Sequence, residues 1–164
     1  MMTTDQIWKS RLTAKLNERF ICIVPQSGYR LAFADPMATE RLLVPDAPND
    51  VLGEAVSSGL AESRFLSLEE ANAVRATADS RYQEWVTSLM GRYGFKTKNA
   101  LFKNMKSCSV MRFDGNLVVV PSHHDRADSW SRSKDDGIED VVIAADSSVA
   151  DIGAALRLGF DRCT

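Results

Sequence analysis

The sequence predicts an α+β fold, a mostly antiparallel β-sheet with helices packed on it, and three observations carry that prediction. Residues 107–113 and 116–120 are apolar, β-branched runs joined by Asp114-Gly115, the dipeptide that a two-residue type I′ hairpin turn favours. A second continuous apolar run, residues 20–24, leads through Gln26-Ser27-Gly28 into residues 29–34. Two later stretches space their apolar residues helically instead: Tyr82, Trp85, Val86, Leu89 and Tyr93, and then Val149, Ile152, Leu156, Phe160 and Cys163. At 164 residues the chain fits one domain, which at this size buries roughly 70% of its unfolded surface and stands without disulfide staples.

The hairpin over about 107–120 is the centre of the predicted sheet. Closing its turn on Asp114-Gly115 sets Phe113 opposite Asn116, Met111 opposite Val118, Val110 opposite Val119 and Ser109 opposite Val120. One face then presents Phe113, Met111, Val118 and Val120, and the other Cys108, Val110, Leu117 and Val119. Because both faces are apolar, the hairpin is expected inside a sheet covered on both sides.

Taken in order, residues 6–19, with Ile7, Leu12 and Leu16, read as a short helix. The second hairpin has Pro25 ending its first strand, Asp35-Pro36 breaks it, and a weak strand follows over 41–44. Asn49 or Asp50 is positioned to cap a helix through about Leu60, with Leu52, Ala55 and Val56 inward. Gly53 and Gly59 each cost that helix up to about 1 kcal/mol. Ser67-Leu68-Glu69-Glu70 has capping-box spacing and starts a helix with two readings, one unbroken to Tyr93 and one interrupted at Thr77-Ala78-Asp79-Ser80, where another helix begins. The latter ends at Gly94, where a left-handed cap belongs. Residues 122–133 read as a loop with a helical turn near 127–130, Asp135-Asp136-Gly137 as a turn, and 141–144 as the last strand. Ser147 or Ser148 caps the C-terminal helix, which carries one misplaced apolar residue, Leu158. The sequence shows no repeats and no low-complexity segments.

Composition excludes several classes. The three cysteines, Cys22, Cys108 and Cys163, are odd in number and far apart, which reads as reduced thiols of a cytoplasmic protein. No apolar run approaches the length of a membrane span, and no signal-peptide pattern follows Met1. Net charge is −2, but residues 135–164 hold seven acids against two bases. His123-His124-Asp125 is the one histidine site; it lacks the further ligands a metal needs, and adjacent imidazoles diverge on extended chain. A hydrolase built on His123 and His124, with Cys108 as nucleophile, is one alternative reading. A nucleic-acid-binding module over 96–106, using Lys96, Lys98, Lys103 and Lys106 with Phe95 and Phe102, is another. No catalytic residue, cofactor, metal or small-molecule substrate is assigned.

The stretch Phe95-Lys96-Thr97-Lys98 through Met105-Lys106-Ser107-Cys108, then Pro121-Ser122-His123-His124 with Trp130, then Ala145-Asp146-Ser147-Ser148 with Ile152-Gly153-Ala154-Ala155-Leu156-Arg157, resembles the immunity proteins of bacterial contact-dependent growth inhibition (CDI) systems. Pro25-Gln26-Ser27-Gly28-Tyr29-Arg30 and Ser63-Arg64-Phe65-Leu66 support the match upstream. The resemblance implies a small cytoplasmic protein that forms a heterodimer with the C-terminal domain of a cognate toxin, often a nuclease acting on transfer RNA. It implies no enzyme activity and no membrane or direct nucleic-acid partner. Since a nuclease presents positive charge to phosphates, the densest acidic cluster, Asp135, Asp136, Glu139 and Asp140, is the expected toxin-binding surface.

Overall fold

In the computed structural model, which describes residues 8–164, the N-terminal part of the chain forms β1 (Ser10–Leu16), β2 (Ile21–Gly28), β3 (Ala32–Ala34), β4 (Arg41–Leu43) and α1 (Asn49–Glu62). Three helices follow, α2 (Leu68–Ala76), α3 (Ala78–Tyr93) and α4 (Lys98–Phe102). The chain ends with β5 (Lys106–Phe113), β6 (Asn116–Pro121), β7 (His123–Arg126), β8 (Ser129–Ser131), β9 (Val141–Ala144) and α5 (Val149–Arg162). Seven strands make one antiparallel sheet in the order β3-β2-β1-β5-β6-β9, with β4 also paired to β2, while β7 and β8 form a separate small sheet.

The β5–β6 hairpin closes on Asp114-Gly115, both at positive φ, in the predicted register from Phe113 opposite Asn116 to Ser109 opposite Val120. The capping box is also present: Ser67 Oγ accepts from Glu70 N–H at 3.1 Å, and Ser67 N–H donates to Glu70 Oε1 at 3.3 Å. Gly94 caps α3 with φ +73°, and Ser148 caps α5. Pro48, rather than Asn49 or Asp50, sits at the N-cap of α1.

Several expectations are corrected. Residues 10–16, expected within a helix over 6–19, are the strand β1 at the middle of the sheet; residues 6 and 7 lie outside the described residues. Leu12 and Ala14, both 0% exposed, alternate with Arg11, Thr13 and Lys15, and pairing on both sides by β2 and β5 decides the conformation. β2 continues through Pro25. β4 pairs with Ile21, Cys22 and Ile23 and β3 with Gln26, Ser27 and Gly28, so Pro25 falls in the gap between them. There its missing N–H breaks no ladder, and its carbonyl accepts from Asp35 N–H at 3.0 Å. Residues 123–131 are the β7–β8 hairpin rather than a loop with a helical turn. Finally, the β5–β6 hairpin is covered fully on one face only: Cys108, Val110, Leu117 and Val119 are buried beneath α1 and α5, whereas Met111, Phe113, Val118 and Val120 are half-buried. The other face of the sheet has its helical cover over β2, where α3 and α4 enclose Phe20 and Cys22.

The expectation of no repeats is also corrected, because the strand pairing relates two halves of the chain. Thr13 faces Ser109, and an approximate two-fold passes between them. The rotation relates β1, β2, β4 and α1 to β5, β6, β9 and α5. Leu12 pairs with Pro25 as Cys108 pairs with Pro121, and Ile23 with Arg41 as Val119 with Val141. The helices correspond residue by residue, Leu52 to Ile152, Gly53 to Gly153, Ala55 to Ala155, Val56 to Leu156, Gly59 to Gly159 and Leu60 to Phe160, and all twelve are buried. Where α1 and α5 cross, a Cβ on Gly53 would lie 1.6 Å from the Val149 carbonyl oxygen, and one on Gly153 1.9 Å from that of Asn49. The two backbones touch because both contact positions lack side chains.

Candidate functional site

The segment between β8 and β9 carries the acidic cluster, and the structure divides that cluster in two. Arg132 reaches into the segment from the end of β8: its Nη1 lies 2.7 Å from Asp140 Oδ1 and its Nε 3.2 Å from Asp136 Oδ2. Arg132 also donates to the Pro121 carbonyl at 3.0 Å and to that of Ile138. Asp136 closes the turn by accepting from Ser133 N–H at 2.8 Å and Ile138 N–H at 2.9 Å, with Gly137 at φ +74°. Those backbone hydrogen bonds, ahead of the Arg132 charge, hold its carboxyl below the usual carboxylate range. Arg162 of α5 donates to the carbonyls of Glu139 and Asp140 at 3.2 and 3.0 Å. Asp136 and Asp140 are therefore structural. Asp135 and Glu139 are exposed and make no ion pair among the described residues.

Beside this segment the uncovered side of the sheet begins. Met111, Val118 and Val142 form one cross-strand row, and Val142 is 58% exposed. The equivalent row under the two-fold, with Cys22 and Leu42, packs on the cluster formed by α3 and α4. The second half thus leaves bare an apolar face that the first half covers.

Between the sheet and α3 a cleft of about 530 Å³ runs over Thr13, Lys15 and Ser109 to Tyr82, Trp85 and Trp130. Lys15 Nζ lies 2.9 Å from Ser107 Oγ and 3.9 Å from the centre of the Trp130 ring. Burial lowers its amine to about 8, against the opposing pull of Cys22, Cys108 and Asp128. No isolated sequence motif flags Lys15, because its environment comes from residues about a hundred positions away.

The histidines do not converge. His123 Nδ1 bonds the Thr164 hydroxyl at 2.8 Å, while His124 stacks on Trp130 with centroids 4.8 Å apart and bonds the Ala127 carbonyl at 2.9 Å. Cys108 is fully buried beside Cys163 and makes no contact with either imidazole in the hydrogen-bond network. In the basic stretch, Lys98 pairs with Asp128 at 2.9 Å, and Phe95 and Phe102 are buried rather than offered for stacking. Among the described residues no three His, Cys, Asp or Glu side chains gather as metal ligands, and no helix is long and apolar enough to cross a membrane.

Comparison with known proteins places this geometry. A family model described as CDI immunity protein matches residues 10–163. Immunity protein CdiI-YPIII of Yersinia pseudotuberculosis serotype O:3 (strain YPIII) is 36% identical over 174 aligned residues, which span 97% of this chain and 98% of that protein. Among solved structures, a chain of the CdiA-CT/CdiI toxin and immunity complex from Yersinia pseudotuberculosis superposes with a TM-score of 0.87 at 33% identity, over 96% of this chain and 99% of that one. NMB0488 from Neisseria meningitidis, described as a protein of unknown function, superposes with a TM-score of 0.86 at 33% identity, over 99% and 100% of the two chains. From the first strand to the last helical turn, this chain belongs to the CDI immunity protein family.

Proposed function

We propose that this protein acts in the cytoplasm as a single domain that binds the C-terminal toxin domain of its cognate CDI system and blocks it by occupation rather than by chemistry. The toxin in this reading is a nuclease, with transfer RNA a candidate substrate. Its contact runs over the segment that contains Asp135 and Glu139 and onto Val142. Membership of the family and likeness to a chain of a toxin and immunity complex support the binding role.

One observation carries the choice of surface. Two unpaired carboxylates are held on a clamped loop next to an uncovered apolar row, so a cationic partner meets steering charge and desolvatable area together. Copurification with the cognate toxin domain tests the role, and Asp135→Lys with Glu139→Lys tests the surface. The double reversal should slow association about tenfold at low salt and flatten its salt dependence while the melting temperature holds. Absence of copurification refutes the role. An unchanged association rate and salt slope in a variant that still binds refutes the surface alone.

A further inference from the structure

The two-fold gives a standard against which departures in the second half can be judged, and its C-terminal end departs. After α1, Ser63 Oγ accepts from Arg11 N–H at 3.0 Å and donates to the Gln26 carbonyl at 2.6 Å, which ties the helix end to β1 and β2. A hundred positions on, Cys163 follows α5, its Sγ 3.5 Å from the Ser107 carbonyl of β5 and 3.4 Å from that of Gly159. A hydroxyl suffices for the tie in the first half. The second half uses a thiol and sets a second thiol against it: Cys108, the counterpart of the core residue Leu12, has its Sγ 3.6 Å from Cys163 Sγ.

We propose that Cys163 is a site of reversible oxidation by peroxides and that Cys108 resolves it into an intramolecular disulfide. Cys163 is partly exposed, while Cys108 is 0% exposed, so the two divide the roles of entry and resolution. The local chemistry agrees. The hydrogen bond from Cys108, opposed by burial and aided by the Ser122 and Ser107 backbone and by Lys106, lowers the Cys163 thiol to about 6. The same hydrogen bond, with burial, raises Cys108 well above the thiol range. The outer sulfur is thus the one favoured to ionise, and the inner one keeps its proton.

The Cys163 thiolate attacks one peroxide oxygen, the O–O bond breaks, and hydroxide leaves, so that Cys163 becomes a sulfenic acid. That step removes the negative charge that held the proton on Cys108. The Cys108 sulfur then attacks Cys163 Sγ, the S–O bond breaks, and water forms from the departing oxygen and the Cys108 proton. Two thiols and one hydrogen peroxide become one disulfide and two waters. The bond joins residues 55 apart and staples the end of α5 to β5.

The test treats the purified full chain with hydrogen peroxide, counts thiols after denaturation and maps peptides. The expected count falls from three to one, with Cys22 free and Cys108 linked to Cys163, and dithiothreitol restores three. The oxidised form should melt on the order of 10 °C higher, from closure of a loop of this length. Cys163→Ser should retain both remaining thiols, and Cys108→Ser should stop at a sulfenic acid that dimedone traps. Three surviving thiols, Cys163 driven to sulfinic acid with Cys108 still free, or a bridge through Cys22 or between two chains would each overturn the proposal. The parent peptide map decides it even if a serine variant fails to fold.

Discussion

Gly153→Ala is the substitution whose sign the structure determines most directly. Judged by helix propensity alone, alanine in a helix interior gains about 1 kcal/mol over glycine. At this position its Cβ would sit 1.9 Å from the Asn49 carbonyl oxygen, and 2.7 and 2.8 Å from the carbonyl carbon and Cα of the same residue. All three are backbone atoms of α1, so no rotamer change relieves the contact. The helices must separate by roughly 1.5 Å to restore van der Waals distance, which opens the packing of Leu52, Val56, Ile152 and Leu156. Such overpacking costs about 1–3 kcal/mol, and loosening those four side chains adds about 1–2 kcal/mol. After the propensity gain is subtracted, a net loss of about 1–4 kcal/mol remains. For a chain of this length that lowers the melting temperature by roughly 2–16 °C. Gly91→Ala is the control: it makes the same chemical change in α3 with nothing within 4 Å of the new Cβ, and it should raise the melting temperature by about 1–3 °C. Gly53→Ala should destabilise like Gly153→Ala, and the double variant should lose less than the sum, because one separation relieves both clashes. Thermal denaturation followed by circular dichroism reads all four. A Gly153→Ala protein that melts at or above the parent would refute the close helix crossing.

Val119→Asp puts a carboxylate at a position 1% exposed beneath Gly159 and should cost about 3–5 kcal/mol; a melting temperature near the parent's would remove β6 from the core. Asp35, 5% exposed, is pushed up by burial but pulled down further by hydrogen bonds from Arg64, Ser27 and Met37. Its folded carboxyl titrates below the unfolded one. The stability it contributes is therefore present above about pH 4, the unfolded value, and lost as pH falls through the lower folded value, so Asp35→Asn should melt lower at pH 7 and show a shallower loss as pH falls below about 4. His123→Ala with His124→Ala should leave protection against the toxin intact in a growth competition, since both imidazoles serve local hydrogen bonds; a folded double variant that fails to protect would place the toxin on β7. Leu158→Ala, at a position 42% exposed on α5, should change the melting free energy by no more than about 0.5 kcal/mol and leave toxin binding unaltered; weakened binding would extend the interface onto that helix.

How far these features could be read in advance follows from the range of the interactions that create them. The β5–β6 register, the capping box at Ser67 and the left-handed cap at Gly94 depend on residues within a few positions, and all three were legible. In β1 the alternation of Leu12, Ala14 and Leu16 was equally present, but Ile7, Leu12 and Leu16 also fit a helix. Only the partners β2 and β5 decide between the two, and one of them lies about a hundred residues away. The acidic cluster was visible as composition, whereas its division into two structural and two free carboxylates depends on how the folded turn brings Asp136 and Asp140 together on Arg132. The repeat is hidden in the sequence for a further reason. It preserves burial pattern and glycine position rather than residue identity, and helix-interior glycines read as a cost until a second backbone is seen to lie against them.

The two-fold also separates scaffold from candidate contacts. The strands and helices it relates supply the core around Leu12, Ile23, Leu52, Val119, Ile152 and Phe160, where substitution is paid for in stability. Residues 67–105, with α2, α3 and α4, have no counterpart under the rotation, whereas residues 29–40 with β3 and residues 125–140 with β8 and the acidic loop fill the same place in the two halves, Ser27 pairing with Phe33 as His123 pairs with Ser131. The helices α3 and α4 cover the side of the sheet opposite α1 and α5, over β2 in the first half. In residues 125–140 Arg132 clamps Asp136 and Asp140 and leaves Asp135 and Glu139 exposed. An inhibitor that must match one partner and refuse others needs a surface free to vary over a frame that is not. Here the frame is the duplicated sheet with its touching helices, and the variable part is whatever was inserted between its elements. Substitutions in residues 133–140 other than at Asp136, Gly137 and Asp140 should therefore alter partner choice before they alter melting. Changes at Gly53, Gly153 or Val119 should do the reverse.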